Sequence, residues 1–140
     1  MPGLFVIAHA PLATALKAVA QHTFPDCAAR LFAFDVSPEM SVEAAEVGAR
    51  ALRAAAPAHQ EWLMLTDAFG ATPCNAARRL LDAEGRRRLV SGVNVPMVWR
   101  SLCYGSEPLD ALVHLAAEGG KAGVVIADIP ENPSQSPESS

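Results

Sequence analysis

Long apolar runs, paired cysteines, clustered basic residues and glycine-rich nucleotide loops are all scarce in this chain, and each shortage closes off a class of function. Its three cysteines, Cys27, Cys74 and Cys103, stand far apart with no CxxC pair. That spacing argues against a disulfide framework and a zinc site, and it fits a reducing, cytoplasmic compartment. Eleven Lys and Arg against 15 Asp and Glu leave a formal net charge of −4, the wrong balance for a nucleic-acid surface. The one basic run, Arg86-Arg87-Arg88, reads as a solvated turn between a helix and a strand. No uncharged apolar stretch reaches the roughly 18 residues that a membrane span needs. The apolar start followed by Ala18-Val19-Ala20 has the outline of a signal peptide, but it has no basic leading segment, contains His9 and Pro11, and sets Lys17 next to the supposed cut. The segment AHAPLA contains no glycine, so the GxGxxG turn of a dinucleotide site is missing; a P-loop and a GxSxG nucleophile elbow are missing too.

What is present is an alternation of short apolar runs with longer amphipathic segments, in 140 residues that are 51% hydrophobic and 19% charged. That is ample for one α/β domain with a parallel sheet and crossover helices. Strands are expected at residues 3–9, 30–36, 61–66, 88–94 and 122–127, and helices at 11–22, 41–56, 72–84, 96–103 and 107–118. Ser41 precedes an Ala-rich run with acidic residues early and arginines late, and Thr72-Pro73 pairs an N-cap residue with proline at the first helical position. The domain is assigned to residues 1–130. The tail 131–140, rich in Pro, Ser and Glu, has nothing with which to build a core and is expected to be disordered.

In such a sheet the carboxyl ends of the strands open onto the ligand crevice, with helix N-termini pointing into it. The first strand ends at His9 and the third runs out through Thr66-Asp67 into Ala68-Phe69-Gly70-Ala71-Thr72. If these strands are neighbours, as in the order 2-1-3-4, His9 and Asp67 meet. A carboxylate bonded to one ring nitrogen fixes the tautomer and leaves the other nitrogen free as a nucleophile. Gly70, Ala71 and Thr72 then offer backbone N–H groups and a hydroxyl to phosphate oxygens, with no metal or cofactor required. Asn94 comes to the same edge at the end of the fourth strand.

Each residue also has an ordinary reading, His9 as a structural histidine and Asp67 as a helix cap. The residues alone leave open both a phosphate-handling site and a plain α/β rim. His22, His59 and His114 have no partner at metal-ligand spacing and read as surface or packing residues, and Cys74 as a packing residue.

Four blocks, AHAPLA around His9, FDVSPEMS at 34–41, LMLTDAFGATPCNAARRL at 63–80 and SGVNVPM at 91–97, resemble the IIA component of the mannose-type (mannose/fructose/sorbose) bacterial phosphotransferase system. The resemblance covers nearly all of residues 3–127. It implies an open three-layer α/β fold, four parallel strands in the order 2-1-3-4 with a final antiparallel edge strand at 122–127, helices on both faces, and a homodimer. It implies a cytoplasmic phosphotransferase: His9 accepts a phosphoryl group from the phosphocarrier protein HPr through Nε2 while Asp67 holds Nδ1–H, and Gly70, Ala71 and Thr72 receive the phosphate. A separate IIB protein, or a regulatory target, is the expected partner after HPr, with Pro11, Phe69, Asn94 and Met97 forming the partner-facing rim. Alternatives are a phosphotransferase subunit serving a dihydroxyacetone kinase and a non-enzymatic regulatory binding domain. The chain departs from the family where its Ala8-His9-Ala10-Pro11 and Gly70-Ala71 replace glycine-richer segments.

Overall fold

Two strands whose residues are apolar almost throughout, GLFVIAH and WLMLT, must be covered on both faces, and the computed structural model places them at the centre of the sheet. It describes residues 1–56 and 59–129. The strands are β1 (Gly3–His9), β2 (Leu31–Val36), β3 (Trp62–Thr66) and β4 (Arg87–Ser91). They are all parallel, in the order β2-β1-β3-β4. The helices are α1 (Leu12–Thr23), α2 (Pro25–Ala28), α3 (Val42–Ala54), α4 (Thr72–Arg78), α5 (Val95–Cys103) and α6 (Leu109–Ala122).

The period-two alternation of the strands divides the core in two. Leu4, Val6 and Ala8 pack with Leu63 and Leu65 under α1, α5 and α6. Phe5 and Ile7 pack with Trp62 and Met64 under α3 and α4. Each of the Val, Leu, Ile, Phe and Met side chains among these, fully enclosed, contributes about 1.5–3 kcal/mol. His9 continues the Phe5–Ile7 row and so leaves β1 toward the face that α4 covers.

The expected fifth strand at 122–127 is not formed among the described residues. Residues 124–129 form no strand, and α6 runs through Gly119 and Gly120 to Ala122 rather than stopping near 118. Those two glycines lie inside the helix because a Cβ at either would collide with the Arg100 or Met97 side chain of α5. Beyond α6, Val124, Val125, Ile126 and Ile129 are 64–92% exposed. The β-branched content of this segment is not sufficient for a strand, since a strand needs a ladder partner and none pairs with it among the described residues.

Further differences have local causes. α4 ends six residues before the expected boundary, and Asp82 Oδ1 then accepts the amides of Arg86 (2.9 Å) and Arg87 (3.2 Å), turning the chain into β4. Arg87 and Arg88 therefore belong to an edge strand rather than a solvated turn; Arg88 pairs with Asp110 at 2.6 Å. β4 stops at Ser91 because Gly92 turns to φ +91°, and the Gly92 and Val93 amides both donate to the Thr66 carbonyl at 2.9 Å. The short α2 has no counterpart among the helices expected from sequence. The tail 131–140 lies outside the described residues.

Candidate active site

The register Ile7↔Thr66 between β1 and β3 carries both strands out of the sheet together, so that His9 and Asp67 emerge side by side. Asp67 Oδ2 lies 2.7 Å from His9 Nδ1 and also accepts the His9 backbone N–H at 3.0 Å. Asp67 Oδ1 accepts the Ala68 N–H at 2.9 Å. The two side chains differ sharply in access: His9 is 52% exposed and Asp67 15%.

Burial pushes the Asp67 carboxyl up, but the His9 amide, the His9 ring and the Ala68 amide together outweigh it and hold the group below the usual carboxylate range. Asp67 is thus an ionised acceptor, and the proton of a neutral His9 ring must sit on Nδ1 to meet it. Nε2 keeps its lone pair and has no hydrogen-bond partner among the described residues.

The loop beside this pair is built on one conformational requirement. The Ala71 N–H donates to the Ala68 carbonyl at 3.2 Å, closing a turn whose third residue, Gly70, sits at φ +86°. Only glycine takes that conformation readily. Ala71 has an ordinary extended backbone, φ −81° and ψ 172°, so alanine is tolerated there. The N–H groups of Gly70 and Thr72 and the Thr72 hydroxyl have no acceptor among the described residues; the Ala71 N–H is committed to the turn and is not available to a ligand. From the end of the first turn of α4, Asn75 Nδ2 donates to the Gly70 carbonyl at 3.0 Å.

On the other flank, Pro11 opens α1 and supplies no side-chain cap. The missing acceptor comes from β2: Asp35 Oδ1 takes the Thr14 amide at 3.2 Å and Oδ2 the Thr14 hydroxyl at 2.6 Å.

Of the four expected rim residues two are exposed, one is buried and one is bonded into a helix start. Phe69 is 78% exposed with the Arg78 guanidinium 5.9 Å from its ring centre, and Pro11 is exposed. Met97 is only 3% exposed, packed where a Cβ on Gly120 would strike it, and cannot face a partner. Asn94 is the N-cap of α5, accepting from the Met97 amide at 2.9 Å and donating to the Gly120 carbonyl at 3.0 Å. Sequence reasoning misses Asn75, and it places Asp35 at the rim, at the end of the second strand, without its bonds to Thr14. An asparagine one turn after a Gly-containing loop, and an aspartate ending a strand beside an uncapped helix, are the signals that point to them. His59 is a packing residue, its ring 5.3 Å from that of Trp62.

Among the described residues no helix is long and apolar enough to cross a membrane. A family described as "PTS system fructose IIA component" matches residues 3–116 of the chain. The mannose-specific EIIAB component of the same system from Escherichia coli K12 is 38% identical over 64 residues, 44% of this chain and 20% of that protein. The match thus spans about a fifth of that relative's length. Among solved structures, a mannose/sorbose specific IIA subunit from Enterococcus faecalis superposes with TM-score 0.83 at 24% identity, over 94% of this chain and 98% of the other. A phosphotransferase component EIIA from Streptococcus agalactiae gives TM-score 0.77 at 22% identity, over 90% and 97%. Both share its fold.

Proposed function

The chain belongs to the IIA family of the phosphotransferase system that matches its residues 3–116, and we propose that it is a phosphoryl carrier whose working atom is His9 Nε2. The donor is phospho-HPr and the acceptor a IIB component. Residues 1–130 are the carrier domain.

The observation that carries this reading is the 2.7 Å contact between Asp67 Oδ2 and His9 Nδ1 beneath a half-exposed imidazole. Nε2 attacks the phosphorus of the donor in line. A P–N bond forms on His9 as the bond to the donor's leaving group breaks, and the ring, still protonated at Nδ1, gains positive charge. Asp67 already faces that proton, so the charge is met without rearrangement. Transfer of this loose type depends on positioning and electrostatics more than on covalent help. The phosphoryl oxygens are received by the Gly70 and Thr72 amides and the Thr72 hydroxyl. Phe69 and Pro11 are the apolar contacts for a protein donor, which must approach closely enough for direct transfer.

The chain works as a homodimer in the cytoplasm. Among the described residues no strand pairs with the outer edge of β4, and the exposed apolar residues 124–129 of a second copy, laid along it, would supply a fifth strand. The free thiols Cys27, Cys74 and Cys103 fit a reducing compartment.

The test is incubation with phosphoenolpyruvate, enzyme I and HPr, then mass spectrometry for acid-labile phosphate. One phosphoryl group on His9, absent from His9→Ala, is expected; incorporation persisting in His9→Ala overturns the assignment.

A further inference from the structure

We infer that Asn75 is a positioning residue for the phosphoryl transfer, acting through the carbonyl of Gly70. This rests on the reading of His9 as phosphoryl acceptor. Side chains on a helix lean toward its N-terminus, and Asn75 uses that lean to reach the loop preceding α4, where Nδ2 meets the Gly70 oxygen at 3.0 Å. The amide orientation follows from chemistry, since only the NH₂ end can donate to a carbonyl.

The loop needs this tie. Its turn is closed by a single backbone bond of 3.2 Å, from Ala71 N–H to Ala68 oxygen. Its pivot is a glycine at φ +86°, the residue with the most alternative conformations available. Rotation of the Gly70–Ala71 peptide would carry a carbonyl oxygen, the negative end of a dipole, toward the incoming phosphoryl oxygens. With Asn75 holding that oxygen, the crevice is left with the unpaired Gly70 and Thr72 amides. Asn75 itself is half-buried on α4 and makes no contact with the reacting atoms; its effect is on the loop that does.

The consequence is a loss of transfer rate larger than the loss of donor docking, because Asn75 ties the Gly70 carbonyl, while Phe69, in the same turn, presents its ring to solvent. In the full chain, phosphoryl uptake is measured against phospho-HPr concentration for wild type, Asn75→Ala, Asn75→Asp and His9→Ala, with melting curves and amide hydrogen exchange in parallel. Asn75→Ala should lose roughly five- to tenfold in maximal rate, the equivalent of one hydrogen bond, with a smaller rise in half-saturation and faster exchange at the Ala71 amide. Asn75→Asp has the same shape but turns a carboxylate toward both the Gly70 oxygen and the phosphoryl group, so it should fall below Asn75→Ala. A role in packing alone predicts the opposite order. Wild-type rate and unchanged Ala71 exchange in Asn75→Ala, or Asn75→Asp equal to or faster than Asn75→Ala, overturns the inference and leaves the carrier function standing. Should Asn75→Ala melt below the assay temperature, the isosteric Asn75→Asp against wild type decides on rate and exchange. Failure of the wild type to take up phosphate, or uptake by His9→Ala, removes the functional reading itself.

Discussion

A single oxygen of Asp67, Oδ2, binds His9 twice, taking its backbone N–H at 3.0 Å and its ring Nδ1 at 2.7 Å. The carboxylate therefore sets both where β1 ends and which way the imidazole faces. Asp67→Asn replaces a charge-assisted bond by a neutral one and removes the counter-charge for the phosphorylated ring. Phosphoryl uptake from phospho-HPr should fall by roughly ten- to a hundredfold, the scale of one hydrogen bond to a charged group. Uptake within twofold of wild type, at unchanged melting temperature, would show that Asp67 is not coupled to the transfer.

Stability should depend on pH through two carboxyls. Asp67 is held below its ordinary range because the His9 and Ala68 hydrogen bonds outweigh burial. Glu46 is held low by its bond to Arg50, partly countered by burial and reinforced by Arg79. A group with a depressed folded-state value stabilises fully above its unfolded value, about 4 for a carboxylate, and loses that contribution as pH falls through the folded-state value. Melting temperature should thus decline as pH drops below about 4, and the acid decline should be shallower in Asp67→Asn. An equally steep decline in the variant contradicts this.

Phe69 presents 78% of its surface to solvent, two residues beyond Asp67 in the chain. Truncating an exposed ring costs within about 0.5 kcal/mol of folding stability, whereas aromatic anchors dominate protein contacts. Phe69→Ala should leave the melting curve in place and raise the half-saturation for phospho-HPr by roughly tenfold, a loss of about 1.4 kcal/mol of binding. Titration of initial rates measures this, and an unchanged half-saturation would remove Phe69 from the docking surface.

Asp35 caps a helix that its own first turn leaves uncapped. Asp35→Ala strands the Thr14 amide and should cost about 1 kcal/mol, seen as a fall of roughly 3–5 °C in melting temperature. Thr14→Val, which removes the hydroxyl and keeps the amide, should cost less. Equal losses in the two would assign the stabilisation to the hydroxyl bond instead.

Much of this fold is legible because its strands are buried on both faces. β1 appears over the residues its apolar run predicts, Gly3–His9, and the two residues that matter most, His9 and Asp67, are readable as the ends of such runs. The expectations that fail depend on partners that a local pattern does not contain. Residues 122–127 carry strand propensity, but α6 continues to Ala122, and no strand among the described residues pairs with 124–129. Met97 reads as a rim residue because it lies just past a strand end, yet one turn of α5 swings it into the core against Gly120. Asn75 and Asp35 act across a loop and between two elements, and their hydrogen bonds exist only once α4 and β2 are in place.

Nitrogen-15 NMR of the His9 imidazole in the phosphorylated chain bears most directly on the proposed transfer. Phosphorus coupled to Nε2, with Nδ1 protonated and hydrogen-bonded to a carboxylate, is expected. Phosphorus on Nδ1, or on a residue other than His9, would mean that the contact between Asp67 and His9 does not prepare the nucleophile.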